Sequence, residues 1–176
     1  IFSFKLMSDE GFTYARSARL ISQAINDLHL DLTGMTVYTE AASGGFAATA
    51  AIAVAAGAET VYAFAAESSY GSALEARTHT ERLAKHVGNE RALSFPKQKQ
   101  QKEFSDADII TNTGFVRPID DRIIGWLGPN AAVPLMYEPW EFRADDIDIG
   151  SLWNNGIPVL GTDESDYRVE TQRYLQ

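Results

Sequence analysis

Two carboxylates, Glu138 and Glu141, stand in the stretch "PLMYEPWEFR", with Tyr137, Trp140 and Arg143 around them. A carboxylate packed against aromatic rings loses hydration, and its pKa climbs toward neutrality, as a general base requires. Either glutamate is therefore a candidate base. Arg143 or Arg117 is a candidate fork for a substrate carboxylate. The plainer reading of the same residues is a structural loop, in which the aromatics pack and a glutamate pairs with an arginine. "NTGFVRPIDD" gives Asn112, Thr113 and Arg117 a similar standing, while Asp120 and Asp121 read as caps of the following helix. His29, His79 and His86 fall on helix-rich stretches and read as surface or packing residues; no histidine follows His86. The catalytic candidates are thus Glu138, Glu141 and Arg117.

Backbone amides offer a second chemistry. "TEAASGGFAATAAIAVAAGAETVYAFAAES", from Thr39 to Ser68, reads as a strand, a glycine turn, a long apolar helix and a second strand. Unpaired N–H groups and the dipole at a helix start attract an anion. Dinucleotide-binding turns carry G-x-G-x-x-G, for a tight turn, close phosphate approach and close helix packing. Counting back from Gly57, those positions fall on Ala41, Ser43 and Phe46; the glycines present are Gly44 and Gly45. Small residues here still admit a diphosphate, so Ala42, Ser43, Gly44, Gly45 and Phe46 are candidate cofactor contacts. Phe46 in the third position predicts a wider turn or a tilted helix. Ser43 is either a hydroxyl donor or merely the N-cap. The alternative is a scaffold whose turn has lost its ligand.

At the end of the second strand, Glu67 is placed to accept bonds from ribose hydroxyls, which favours NAD. Ser68, Ser69 and Tyr70 are placed to surround a 2′-phosphate, which favours NADP. Glu67 reads equally as a solvated residue at a strand end. The cofactor expected is NAD or NADP, leaning to NAD.

These groups need a scaffold. With 176 residues the chain suits one compact domain, and 45% hydrophobic residues suffice for a core. A net charge of -9 disfavours nucleic acid and anionic membrane, so any anionic ligand must be held by local dipoles. The absence of cysteine excludes disulfides, thiolate zinc sites and a cysteine nucleophile, and fits a reducing compartment. The longest apolar run, 47–56, is too short to span a bilayer, and no signal peptide is visible. The expectation is a cytoplasmic protein. The chain begins at Ile1 and stops at "VETQRYLQ", so it is expected to belong to a longer polypeptide.

Apolar spacing predicts an amphipathic helix over 12–28, then a strand in "MTVYTEA", a helix over 46–56, a strand in "TVYAFAA" and a helix over 70–87 capped by Ser68 or Ser69. "ALSF", "ADIITNTG", "AAVPLMY" and "IPVLGT" follow as strands, with helices in "IDDRIIGWLG" and "ADDIDIGSLWNNG". "PKQKQQKEFSD" reads as either a poor helix or a loop. Alternating strands and helices call for a doubly wound α/β fold, Rossmann-like, with a six-stranded parallel sheet in the order 3-2-1-4-5-6. The crevice for a ligand then lies at the carboxyl ends of the first and fourth strands. Residues 1–33 would form a leading helix and connector, 34–165 the dinucleotide-binding domain, and 166–176 a tail. The three tryptophans and the leading helix suggest a homodimer or a domain contact.

The order "ADIITNTG", short helix, "LGPNAAVPL" resembles the NAD(P)-binding domains of 2-hydroxyacid dehydrogenases and of S-adenosylhomocysteine hydrolase, over Leu32 to Thr162. The resemblance implies that Asn112, Thr113 and Gly114 line the nicotinamide end of the cofactor, as do Leu135, Met136 and Tyr137 from the next strand. The dehydrogenase pattern also carries a catalytic arginine and histidine after strands five and six. Here "YEPWEFR" and "GTDES" stand in those places. The leading expectation is an NAD(P)-binding domain of an oxidoreductase acting on a small metabolite. The alternatives are a nonredox enzyme on the same fold, of the hydrolase type or binding an adenosyl ligand, and a ligand-sensing or assembly domain without chemistry.

Overall fold

The computed structural model describes residues 13–69, 71–137 and 141–161. Helix α1, Tyr14–Leu28, buries Ala18 and Ile21 and stops where His29 takes a left-handed conformation, φ 53°. Strand β1, Thr36–Glu40, leads into a 3-10 turn at Gly44–Ala47 and then α2, Ala48–Ala55. Gly57, at φ 91°, turns the chain after α2, and a side chain there would meet Thr33. Strand β2, Thr60–Phe64, precedes α3, Ala73–Val87. The remaining elements are shorter: β3 Leu93–Ser94, α4 Gln101–Asp106, β4 Ile109–Ile110, α5 Asp121–Ile124, β5 Val133–Pro134, α6 Ile149–Asn154 and β6 Val159–Leu160.

All strand pairs are parallel, in the order β3-β2-β1-β4, with β5 and β6 forming a second, two-stranded sheet. The first four strands follow the expected order. The expected single six-stranded sheet is corrected: β4 and β5 meet only through an isolated parallel bridge, Ile109 to Ala132. Two bonds carry that bridge, Ile110 N–H to Ala132 O (3.0 Å) and Ala132 N–H to Asp108 O (2.8 Å). Beyond it, the Asn112 side chain takes the Met136 N–H at 2.7 Å, so a side chain replaces backbone pairing where a longer ladder was expected.

Side-chain alternation along the strands sorts the core into two layers. Val37, Val61 and Ala63 join Ala50, Val54, Ala76 and Ala84 of α2 and α3 on one face. Tyr38 joins Phe104, Ile110, Ile123 and Leu152 on the other, where α4, α5 and α6 lie. Tyr38 and Phe104 stack at 4.0 Å between ring centroids. The alanines of α2 let it sit close between the sheet and α3, with α1 covering Ala47, Ala51 and Leu83 from outside. Helix α3 starts at Ser72 and not at Ser68 or Ser69. Ser72 and Glu75 form a capping box there, which is the stronger stop for four open N–H groups. The ambiguous polar stretch makes α4, held by the buried Phe104.

Candidate functional site

The turn after β1 is where sequence and geometry meet. Ala41 continues the ladder through its N–H to Phe64 O at 2.8 Å. Ala42 is buried, and its N–H and C=O are both taken by the Thr80 hydroxyl of α3, at 3.0 and 3.1 Å. Ala42 thus forms the floor of the turn, tied to a neighbouring helix. The next residues are freer. Ser43 is the N-cap in extended conformation, with no capping bond from its side chain. The first N–H groups of a helix have no partner inside it, and those of Ser43, Gly44 and Gly45 meet no acceptor among the described residues. Gly44 sits at φ 59°, a left-handed conformation that favours glycine. Gly45 has no such strain, and no described residue lies within 4 Å of the place a Cβ would occupy. Protein packing therefore does not demand glycine at 45. Phe46 is 76% exposed, so its ring is not packed into the core. The helix begins as a 3-10 turn, which is more tightly wound than the α2 that follows, so the wider turn expected from Phe46 does not form at the helix start.

Opposite this turn, across the β1–β4 boundary, lies a polar group that the sequence reading passed over. Glu40 closes β1 and is only 6% exposed. Its Oε2 accepts the Phe115 N–H at 2.9 Å, and Gly114 passes so close that a Cβ there would stand 3.1 Å from the carboxylate. Burial pushes the Glu40 carboxyl above the usual range, only partly offset by the Phe115 N–H and the Arg117 charge. An acidic residue ending an otherwise apolar strand, "TVYTE", was the available signal. Thr39 and Thr111, both buried, bond across the same boundary at 2.8 Å, and Thr111 reaches Thr113 at 3.1 Å.

Asn112 is 1% exposed and holds Met136 through its Oδ1. Its Nδ2 lies beside the Tyr137 hydroxyl without reaching hydrogen-bond geometry, and burial raises the Tyr137 pKa. Met136 itself is half exposed. Arg117 forms an ion pair with Asp146 from the segment ahead of α6, so its guanidinium is already engaged. Lys99 reaches into the same loop and donates to Val116 O at 2.7 Å and Arg117 O at 2.9 Å; burial lowers its pKa. Of the two candidate bases, Glu141 is exposed and Glu138 lies outside the described residues.

At the end of β2, Glu67 Oε1 accepts the Ala73 N–H at 3.0 Å and so helps to cap α3. Ser68 bonds back to Gly71, closing a small turn. Ser69 is exposed, and Tyr70 lies outside the described residues. The structure therefore gathers Ser43, Gly44, Gly45, Asn112, Thr113, Gly114 and Met136 at the carboxyl ends of β1, β4 and β5. Glu141 and Phe46 lie out in solvent. Asp120 caps α5 as expected, accepting the Ile123 N–H at 3.0 Å. His79 is buried against Tyr14, at 2.9 Å from its hydroxyl, while His29 and His86 are exposed. Among the described residues no three His, Asp or Glu side chains converge as a metal site, and no helix is long and apolar enough to cross a membrane. A cavity of about 430 Å³ lies elsewhere, beside Met35 and Asp108 just ahead of β1 and β4, with Ile109, Ala132 and Leu160 as apolar walls.

No protein-family model and no curated protein sequence matches the chain. Solved structures do. Shikimate 5-dehydrogenase from Listeria monocytogenes, in complex with shikimate and NAD, superposes with TM-score 0.53 at 15% identity, covering 84% of this chain and 52% of its own. Benzyl alcohol dehydrogenase from Acinetobacter calcoaceticus gives 0.47 at 15% identity, over 99% of this chain and 48% of its own. An alcohol dehydrogenase zinc-binding domain protein from Burkholderia ambifaria gives 0.49 at 19% identity, over 93% and 42%. The chain spans about half the length of the first two. At such identities the likeness is one of fold, and the resemblance to 2-hydroxyacid dehydrogenases and S-adenosylhomocysteine hydrolase goes no finer than that. The fold is Rossmann-like: a parallel sheet in the order 3-2-1-4, a further two-stranded parallel sheet and a leading helix.

Proposed function

We propose that the chain is the dinucleotide-binding part of an NAD(P)-dependent oxidoreductase acting on a small metabolite. One observation carries the reading. At the carboxyl end of β1, where ligands dock on this fold, three successive N–H groups have no acceptor among the described residues, none of which lies within 4 Å of a Cβ at Gly44 or Gly45, and Phe46 is 76% exposed. The diphosphate takes the amides of Ser43, Gly44 and Gly45. Its adenosine side runs toward Glu67, whose Oε2 remains to accept a ribose hydroxyl, which favours NAD over NADP. The nicotinamide lies toward Asn112, Thr113, Gly114 and Met136. When bound, it supplies the hydride chemistry. The chain's own residues bind and orient it.

The substrate side is less complete. Arg117 is engaged by Asp146, and Glu141 is exposed, so neither stands ready as a catalytic group within the described residues. That favours, as a second reading, a nucleotide-binding domain whose chemistry is completed by residues beyond those described. Calorimetric titration with NADH and NADPH tests the first reading. Saturable binding that is tighter for NADH, and weakened by Gly45→Asp, supports it. Absence of binding to either nucleotide refutes it.

A further inference from the structure

The most unusual charge in the molecule is Glu40. It is buried, it closes β1 at the crevice, and Arg117, whose charge acts on it, is paired with Asp146. It lies three residues before Ser43, so their Cα atoms are at most about 11 Å apart. A diphosphate at the turn would therefore come to rest near a carboxylate that has little water to screen it. A like charge disfavours the ionised form, and so does burial.

We propose that Glu40 is a positioning residue whose carboxyl takes up a proton from solvent when an anionic diphosphate binds at the Ser43–Gly45 turn. The proposal rests on the nucleotide-binding reading above. Protonation at one oxygen removes the repulsion while the other still accepts the Phe115 N–H. The loop from Thr113 to Arg117 thus stays in place across the crevice as the ligand arrives. The surrounding groups are few enough to name. Arg117 comes from the β4–α5 loop and Asp146 from ahead of α6. Lys99, from ahead of α4, binds the far end of the same loop, and Tyr137, after β5, lies within reach of the Arg117 and Asp146 charges. Arg117 opposes proton uptake, and burial outweighs it. On the α2 and α3 side the contact to the turn is the uncharged Thr80. The carboxyl already prefers its proton more than an ordinary glutamate does.

ADP-ribose is the probe, because both its phosphates are diesters and carry no proton to lose near neutrality. Calorimetry of the wild-type protein in two buffers of different ionisation heat counts the protons exchanged. The expected result is uptake of up to one proton per ADP-ribose, with affinity falling by up to about tenfold per pH unit above the midpoint of free Glu40. Glu40→Gln should bind ADP-ribose with a flat pH profile. Buffer-independent heats and a flat profile in the wild type would overturn the proposal. A second readout needs no ligand: the Phe115 amide resonance should move with pH in the wild type and stay still in Glu40→Gln. If it does not move, Glu40 does not hold the loop, even where ADP-ribose binds. If the amide titrates but ADP-ribose binds at no pH, the nucleotide reading fails and the proton linkage with it.

Discussion

Gly44 and Gly45 look interchangeable in the sequence but differ in the fold. Gly44 is left-handed, so Gly44→Ala strains the backbone and should cost about 1–2 kcal/mol in urea unfolding. Gly45→Asp meets open space and should leave the unfolding midpoint nearly unchanged. It places a negative charge at the mouth, so nucleotide affinity should fall at least about tenfold, a loss of about 1.4 kcal/mol. Equal affinity in Gly45→Asp and wild type would remove the turn from the site. Glu40 makes a separate prediction about stability. Burial raises its folded pKa above the unfolded one, so the folded state binds more protons than the unfolded chain between the two values. Stability from this group is therefore highest below the unfolded pKa and declines as pH rises through the folded one. The difference in unfolding free energy between wild type and Glu40→Gln should shift in that direction across the window, as urea titrations at a series of pH values would show. The two glycines and the open turn were legible from "AASGGF". Thr80 and Lys99 were not, because each works through a backbone group distant in sequence, Ala42 for one and Val116 for the other.

Among the elements, α3 does the most to fix the turn. Its Thr80 is buried and bonds both backbone groups of Ala42. Thr80→Val keeps the shape but leaves a buried donor and acceptor unpaired, at a cost of about 1–3 kcal/mol each. Nucleotide affinity should fall as well, since the turn loses its anchor; a variant with lower stability but unchanged affinity would show that the anchor does not matter to the site. Ser72→Ala, which breaks the capping box, should lower stability by about 1 kcal/mol without that second effect. The long elements could be read in advance because α1 shows clean helical periodicity and β1 and β2 are runs rich in β-branched and aromatic residues. The short ones were harder. Helix α4 has one buried anchor, Phe104, in a polar stretch, and a single apolar residue sets no period. Strands β4 and β5 are shorter than their apolar runs suggest, because Thr111 and Asn112 turn to side-chain bonding at the point where the ladder would continue.

Seen whole, the described residues set two apolar layers on either side of the four-stranded parallel sheet, with polar groups at its carboxyl edge. Phe104 ties the second layer together, stacked on Tyr38 and tilted against Trp126. Phe104→Ala should cost about 3–5 kcal/mol and loosen the β1–β4 boundary, measurable as a lower urea midpoint. The acidic surface, at a net charge of -9, repels an anion at long range, so the proposed binding would have to rest on the local amides. That dependence makes the amides themselves the direct witness. In a titration of the protein with NAD, the backbone amide resonances of Ser43, Gly44 and Gly45 should shift progressively and saturate together, ahead of those in α1 or at the cavity beside Met35. Saturation of the protein with those three resonances unmoved would contradict the account.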